Sequence, residues 1–333
     1  MKSVRLPSSG SHSILPYYLA AEEWIARNLP RDEYFFAWQT RPTVICGRHQ
    51  QMQCEVDMAY CRSHGIEVYR RKSGGGCVYS DGNNVMFSYI TPATSVVSSF
   101  GSYTRAVCRM LASLGIDARA TGRNDIEAGG CKVAGNSFYY TAGCGIVHGT
   151  MLYDADPATM SHVLTPSRAK LLSKGVQSVP SRITTLRALG LDISCREFIE
   201  RAVIMIAPDG EIVLDDNADR EIEEIMQIYL APSFYADKVR GSRHGNRVPD
   251  VGQIGFTCTI DADGRITKPL LAGDFFALSD LDATIYKCLE GCRADAASIS
   301  EALQGIDPAH IILGLDRETL LNIILTEISD IKP

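Results

Sequence analysis

The chain has 333 residues, 45% hydrophobic and 22% charged, an ordinary globular composition that excludes disorder, a collagen-like repeat and a disulfide-stapled miniprotein. At roughly 150 residues per domain, about two domains are expected. A formal charge of −6 argues against broad nucleic-acid binding, which needs a basic surface.

The 11 cysteines are an odd number and no two stand at C-x-x-C spacing, so zinc-ribbon and thioredoxin readings have no support. Lys2-Ser3-Val4-Arg5 leads into no long apolar stretch, unlike a secretory signal. No run approaches the ~18 apolar residues of a membrane span. The expectation is a cytoplasmic protein without a membrane anchor, its thiols mostly free and buried.

In chain order, a helix is expected over residues 13–29, with Ala20, Ala21, Trp24, Ile25 and Leu29 on one stripe and Ser13 as its cap. Strands follow at 34–38 and 43–46, then a short helix at 57–64. An alternating strand at 66–69 runs into Arg70-Arg71-Lys72-Ser73-Gly74-Gly75-Gly76. Strands at 77–79 and 85–90 are joined by a polar turn, and a helix covers 100–114. Short, glycine-punctuated strands fill 117–153, and helical patterns dominate 157–207.

Residues 229–246 are poor in large apolar side chains and read as a linker or exposed loop. A hairpin is expected around Asp261-Ala262-Asp263-Gly264, between 256–260 and Ile266. Helices at 280–289, 298–303 and 318–328 close the chain. The pattern predicts an α+β fold of mixed and antiparallel sheets with packed helices, plus a small α+β C-terminal accessory domain. The expected division is 1–244 and 245–333.

Three clusters carry candidate chemistry. Ser73-Gly74-Gly75-Gly76 costs backbone entropy and suits positive φ or close approach. Its bare N–H groups, beside Arg70, Arg71 and Lys72, make an anion-binding concavity or a flexible loop with solvated charges. Neither G-x-x-x-x-G-K-[ST] nor G-x-G-x-x-G is present here. The second cluster is Gly122-Arg123-Asn124-Asp125 with Lys132-Val133-Ala134-Gly135-Asn136. Asn124 and Asp125 offer oxygen ligands suited to Mg²⁺, and Lys132 a point charge for a phosphate. The alternative is a hairpin turning at 127–130 with Lys132 in water. The third is His148-Gly149-Thr150, a site histidine or a satisfied structural one.

Taken together, these blocks resemble the lipoate–protein ligase A family of the biotin/lipoate ligase superfamily. Its Arg-Arg-x-Ser-Gly-Gly-Gly is matched by residues 70–76 and its Gly-Arg-Asn-Asp by 122–125. Its Lys-x-x-Gly-Asn is matched by 132–136 and its His-Gly-Thr by 148–150. Residues 170–176 and 178–182 are similar to a lysine-rich segment of the family, and Gly273-Asp274-Phe275-Phe276 to a signature of its accessory domain. The similarity extends from the Glu22-Glu23 helix over nearly the whole chain.

The resemblance implies a biotin/lipoate ligase-like catalytic domain. It also implies a two-step reaction: lipoate or octanoate and Mg·ATP give acyl-AMP, and the acyl group passes to a lysine. The implied acceptors are lipoyl domains of 2-oxoacid dehydrogenase E2 subunits and the glycine-cleavage H protein. By resemblance Lys132 is catalytic, bridging carboxylate and α-phosphate. Arg70, Arg71, Ser73, Gly74, Gly75, Gly76, Cys77, Val78, Tyr79 and Asn83 would bind ATP and lipoate. So would Asn124, Asp125, Gly135, Asn136, His148, Gly149 and Thr150, with Asp125 a possible Mg²⁺ ligand.

Because the chain is acidic, a local basic patch for an acidic acceptor is expected from Arg168, Lys170, Lys174, Arg182 and Arg187, whose other reading is a solvated helix face. Ser80-Asp81-Gly82-Asn83-Asn84 stands where many members have His-Asp-Leu-Gly-Asn, and Met86 where asparagine is common. Rival readings are an octanoyl or lipoyl transferase of the same fold and a non-catalytic acyl-adenylate-binding regulator. Cys77, Cys131 and Cys144, expected near the site, keep a thiolate transferase open.

Overall fold

The computed structural model describes residues 1–7, 14–92, 95–121, 124–165, 182–237 and 245–331. Its strands begin with β1 (Lys2–Arg5), β2 (Tyr34–Trp38), β3 (Thr43–Cys46), β4 (Glu67–Arg70) and β5 (Val78–Ser80). Next come β6 (Val85–Thr91), β7 (Ala118–Thr121), β8 (Asp125–Ala128), β9 (Cys131–Thr141) and β10 (Cys144–Met151). The last are β11 (Glu211–Val213), β12 (Asn246–Val248), β13 (Gly252–Ile260) and β14 (Ile266–Gly273).

Eight strands form one sheet in the order β11-β1-β2-β6-β10-β9-β8-β7. β1 is parallel to β11 and β2, and the other neighbours are antiparallel. Two small sheets run β4-β3-β5 and β12-β13-β14. The fold is the expected α+β arrangement.

Alternation explains how the large sheet is layered. In β6, Val85, Phe87 and Tyr89 enter one core, and Met86 and Ile90 the other. Phe35 of β2 joins the first core, while Tyr34, Phe36 and Trp38 join the second. Strands buried on both faces need a layer on each side. The helices Val96–Ser113 and Cys195–Ile206 cover the first face. The helices Leu15–Asn28 and Asp216–Leu230 cover the second. Each fully buried aromatic ring there contributes about 1.5–3 kcal/mol over leaving it in water.

Residues 246–331 carry their own sheet and core, with Phe256, Ile266, Phe275, Leu289 and Ile324 fully or nearly buried. Phe275 and Phe276 point to different cores. Phe275 joins this one, and Phe276 enters the first core of the large sheet, stacked on Phe138 at 5.4 Å. Among the described residues, no helix is long and apolar enough to cross a membrane.

Several expectations shift. The helix expected from residue 100 begins at Val96, because the Ser95 hydroxyl caps it by accepting from the Ser98 N–H. The first helix has Ile14 as N-cap and Pro16 in its first turn; Ser13 lies outside the described residues. Within 157–207 the described helices are Pro157–Val163 and Cys195–Ile206, and 166–181 lie outside the described residues. Tyr229 is no linker residue: it is 1% exposed at the end of its helix, its hydroxyl bonded to Glu23. The 280–289 helix opens as a π-turn at Asp282–Tyr286.

Candidate active site

The loop between β4 and β5 is built from cations turned inward. Arg70 donates to the carbonyls of Gly47, Arg48, Gln50 and Tyr235 and to Asp237, all within 2.6–3.3 Å. These contacts hold its guanidinium, and Arg70 lines the larger cavity described below rather than the one around Lys132. Arg71 donates to Ser73 Oγ and to the carbonyls of Ile45, Gly74 and Gly76. Burial pulls the Arg71 guanidinium down to about 10, still far above neutral. Lys72 pairs with the buried Glu23 at 2.6 Å.

The glycines have separate reasons. Gly75 sits at φ +84, where a side chain is strained. A Cβ on Gly74 would lie 2.3 Å from the Phe275 carbonyl oxygen. The Gly75 N–H donates to that same carbonyl at 3.2 Å. Ser137 Oγ donates to the Gly74 carbonyl at 2.8 Å.

The second cluster is a hairpin of β8 and β9, turning at Gly129 and Gly130 with positive φ. Lys132 does not reach for water. Its Nζ lies 2.7 Å from Asp125 Oδ1, and the other Asp125 oxygen pairs with Arg182. A Cβ on Gly135 would sit 2.5 Å from Lys132 Nζ, so glycine makes room for the lysine's path. Asn124 and Asn136 exchange side-chain-to-carbonyl bonds at 2.7 and 2.9 Å. Asn136 Oδ1 is buried without a partner and would lie 2.0 Å from any Cβ on Gly149.

These groups line a cavity of about 150 Å³. Leu15, Leu19, Trp38, Ile45, Val78 and Met86 of its lining belong to one apolar cluster, the second core. Lys132 and Arg182 meet on Asp125 as a separate charged group of the same lining. Of the expected residues, Arg71, Gly75, Gly76, Cys77 and Val78 line it, as do Asn124, Asp125, Lys132, Gly135 and Asn136. His148, Gly149 and Thr150 complete that wall.

Ser73 and Gly74 are outside the lining, bonded to the wall residues His148 and Arg71. Tyr79 follows Val78 in a strand and so faces the opposite side, buried among Val44, Cys61 and Val68. Asn83 is an exposed turn residue, its N–H bonded to Asp81. Of the three cysteines, Cys77 lines the cavity, 3.2 Å from Cys46 Sγ. Cys144 is buried in the second core, and Cys131 is not a lining residue.

Sequence reasoning missed Arg182 as a site cation, having placed it in a docking patch. Of that patch, Arg168, Lys170 and Lys174 lie outside the described residues, and Arg187 pairs with Asp192 at 3.2 Å. It also missed Arg247, Asp274 and Phe276, which reach the cavity from the C-terminal unit. The Gly-Asp-Phe-Phe run was the one signal that pointed there. A larger cavity of about 510 Å³ lies against Arg48, Lys72, Phe234, Leu271 and Tyr286. It lacks Lys132, Asp125 and the glycine triplet, so the convergent polar groups belong to the smaller one.

Comparison with known proteins agrees with this geometry. The lipoyl protein ligase A/B catalytic domain matches residues 16–206, and the bacterial lipoate protein ligase C-terminus matches 242–324. Lipoate–protein ligase 1 of Staphylococcus aureus is 32% identical, over 92% of this chain and 95% of that protein. Lipoate-protein ligase LplJ of Bacillus subtilis is 30% identical over 92% and 95%. The chain belongs to the lipoate–protein ligase family, and it is an enzyme of that class.

Solved structures share the fold. That of Plasmodium falciparum LipL1 in complex with lipoate has a TM-score of 0.74 at 16% identity, covering 99% of each chain. A lipoate-protein ligase A bound with ATP has 0.60 at 24% identity, covering 70% of this chain and 98% of that one.

Proposed function

We propose that the chain activates lipoate or octanoate with ATP and transfers the acyl group to a lysine of a lipoyl domain. The observation that carries this reading is one cavity lined both by an apolar cluster, with Leu15, Trp38 and Met86, and by the cations Lys132 and Arg182 on Asp125. That combination fits an acyl chain ending in a carboxylate. The lipoate and the ATP found with two structures of this fold support it.

Carboxylate attack on the α-phosphate of ATP forms the acyl-AMP anhydride and breaks the α–β bond, releasing pyrophosphate; the acceptor lysine amine then takes the acyl group, releasing AMP and a proton. The first step brings anion to anion, so its barrier is electrostatic and positional. Lys132 holds Asp125 in this state. On substrate entry Nζ re-pairs with the carboxylate and α-phosphate oxygens, which lowers their repulsion. Gly75, Gly76 and the Cys77–Val78 backbone wrap the adenylate, and closure excludes water from a labile mixed anhydride. The unpartnered Asn136 Oδ1 offers an acceptor to a ligand hydroxyl or amine.

Mg²⁺ carried by ATP keeps several waters and needs one or two carboxylates. Asp125 suits that role once Arg182 turns away, and the ion would neutralise phosphate charge; among the described residues no group of three metal-ligating side chains exists.

The acceptor reading rests on a bi-partite ligase of Thermoplasma acidophilum described with its E2 lipoyl domain. The glycine-cleavage H protein is the second proposed acceptor, and the cytoplasm the proposed compartment. We divide the chain at 244/245, supported by the separate sheet and core that follow.

The test mixes protein, Mg·ATP, lipoate or octanoate and a lipoyl domain, and reads acceptor mass. An ATP-dependent mass increase is expected. Acyl transfer from a carrier without ATP would overturn the reading in favour of the transferase.

A further inference from the structure

One buried polar chain is unused by the mechanism above. Glu22, on the Leu15–Asn28 helix, is 0% exposed. Its Oε1 accepts from Ser88 Oγ at 2.5 Å, and its Oε2 from the Tyr139 hydroxyl at 3.2 Å. Both oxygens lie 3.0 Å from His148 Nδ1. On the far side of that ring, His148 Nε2 is 2.6 Å from Ser73 Oγ. Ser73 Oγ in turn accepts from Arg71 Nε at 2.9 Å. The chain therefore runs from a helix on the sheet's second face to the start of the glycine loop.

One placement of the protons gives every donor in this set an acceptor. Ser73 Oγ already accepts from Arg71, so its own proton needs an acceptor, and His148 Nε2 is in reach. That leaves Nδ1 as the protonated nitrogen, facing the carboxylate. Were the ring a cation, the Ser73 proton would have no acceptor in this set. Burial holds the Tyr139 phenol far above its ordinary range, so it stays a neutral donor.

Glu22 is thus a buried carboxylate met by neutral donors. Its neighbour Glu23, equally buried, meets Lys72 and Arg27. A buried charge without a cation is unfavourable unless its hydrogen bonds repay the lost hydration. The chain ends on His148, which lines the cavity, and on the loop that wraps it.

We infer that Glu22 is a positioning residue for adenylation: it sets the His148 tautomer, and through Ser73 it fixes the glycine loop. This rests on the ligase reading, because the loop's task there is to hold the adenylate.

The test is Glu22→Gln, which keeps shape and removes the charge. In protein carrying ¹⁵N-labelled histidine, the wild type should show His148 protonated at Nδ1 alone, and the variant a mixture of tautomers. Amide exchange at Gly74, Gly75 and Gly76 should quicken. Lipoate-dependent ATP–pyrophosphate exchange should lose about 10- to 100-fold in kcat, as for a misplaced reacting group, with KM changed less than about threefold. Ser73→Ala cuts the far link, should reproduce the kcat loss, and covers the case in which Glu22→Gln does not fold. Tyr139→Phe removes a donor from Glu22, keeps the ring that packs 5.8 Å from His148, and should change kcat less than about twofold.

A kcat loss without a change in the His148 signal overturns the relay. An equal loss in Tyr139→Phe does so too, because it would mark general core damage. If the wild type shows no lipoate-dependent exchange, the ligase reading fails, while the tautomer and amide measurements still decide the relay.

Discussion

Arg70 and Lys132 carry the same charge and were both expected at the ligand, yet they are held in opposite ways. Arg70 is buried, with carbonyls from three consecutive-to-near positions, the Tyr235 carbonyl and Asp237 around its guanidinium. Lys132 has a 19% exposed side chain and shares one carboxylate with Arg182. A cation with saturated donors is fixed in place, because moving it strands buried acceptors. A cation that shares one partner exchanges it for a substrate anion at little cost. The first builds the site, and the second works in it.

This contrast can be broken by substitution. Lys132→Ala should cut lipoate-dependent ATP–pyrophosphate exchange by about 10³-fold or more. Its melting temperature should stay near the wild type, since Asp125 keeps Arg182. Near-normal exchange in that variant would remove Lys132 from the chemistry.

Arg70→Ala should do the reverse. It takes the cation from the largely buried Asp237 side chain, which keeps only the Met52 and Gln53 amides among the described residues, and a donor from the Arg48 and Gln50 carbonyls, a loss of about 3–5 kcal/mol in a denaturant titration. A variant of wild-type stability with a raised KM for ATP would restore Arg70 to the ligand.

Gly74→Ala is expected to cost about 1–3 kcal/mol by overpacking against the Phe275 carbonyl. Limited proteolysis should then cut the C-terminal unit faster. Cys77→Ser is expected to have the smallest effect, about twofold or less in acyl transfer to a lipoyl domain, whereas a 10²-fold loss of transfer would point to an acyl-thioester.

The residues legible in the sequence were those whose reasons are local. The glycine triplet, the Lys132–Asn136 strand segment and His148-Gly149 announce themselves by glycine next to a polar group. All three came together around one cavity. The partners of Arg70 were not legible, because they lie 20 to 167 positions away, and a charge in sequence carries no record of which carbonyls surround it. Tyr79 and Asn83 were swept in with their neighbours. Strand alternation turns the first away, and a turn exposes the second. Arg247 and Phe276 were missed as cavity residues because only tertiary docking brings them to Lys132. Likewise the helix expected from residue 100 begins earlier, at Val96, once the Ser95 cap is considered.

The split of Phe275 and Phe276 between two cores bears on how this chain is handled in the laboratory. Phe276 covers Phe138 within the large sheet's core. A version shortened before residue 245 would open that contact to water and leave Phe138, Phe100 and Tyr140 as a joined apolar surface. Surfaces of that kind drive self-association. Expression of the catalytic unit alone therefore calls for Phe138 and Phe100 to be replaced by smaller polar residues, and its solubility before and after that change measures how much of the fold's integrity rests on one phenyl ring.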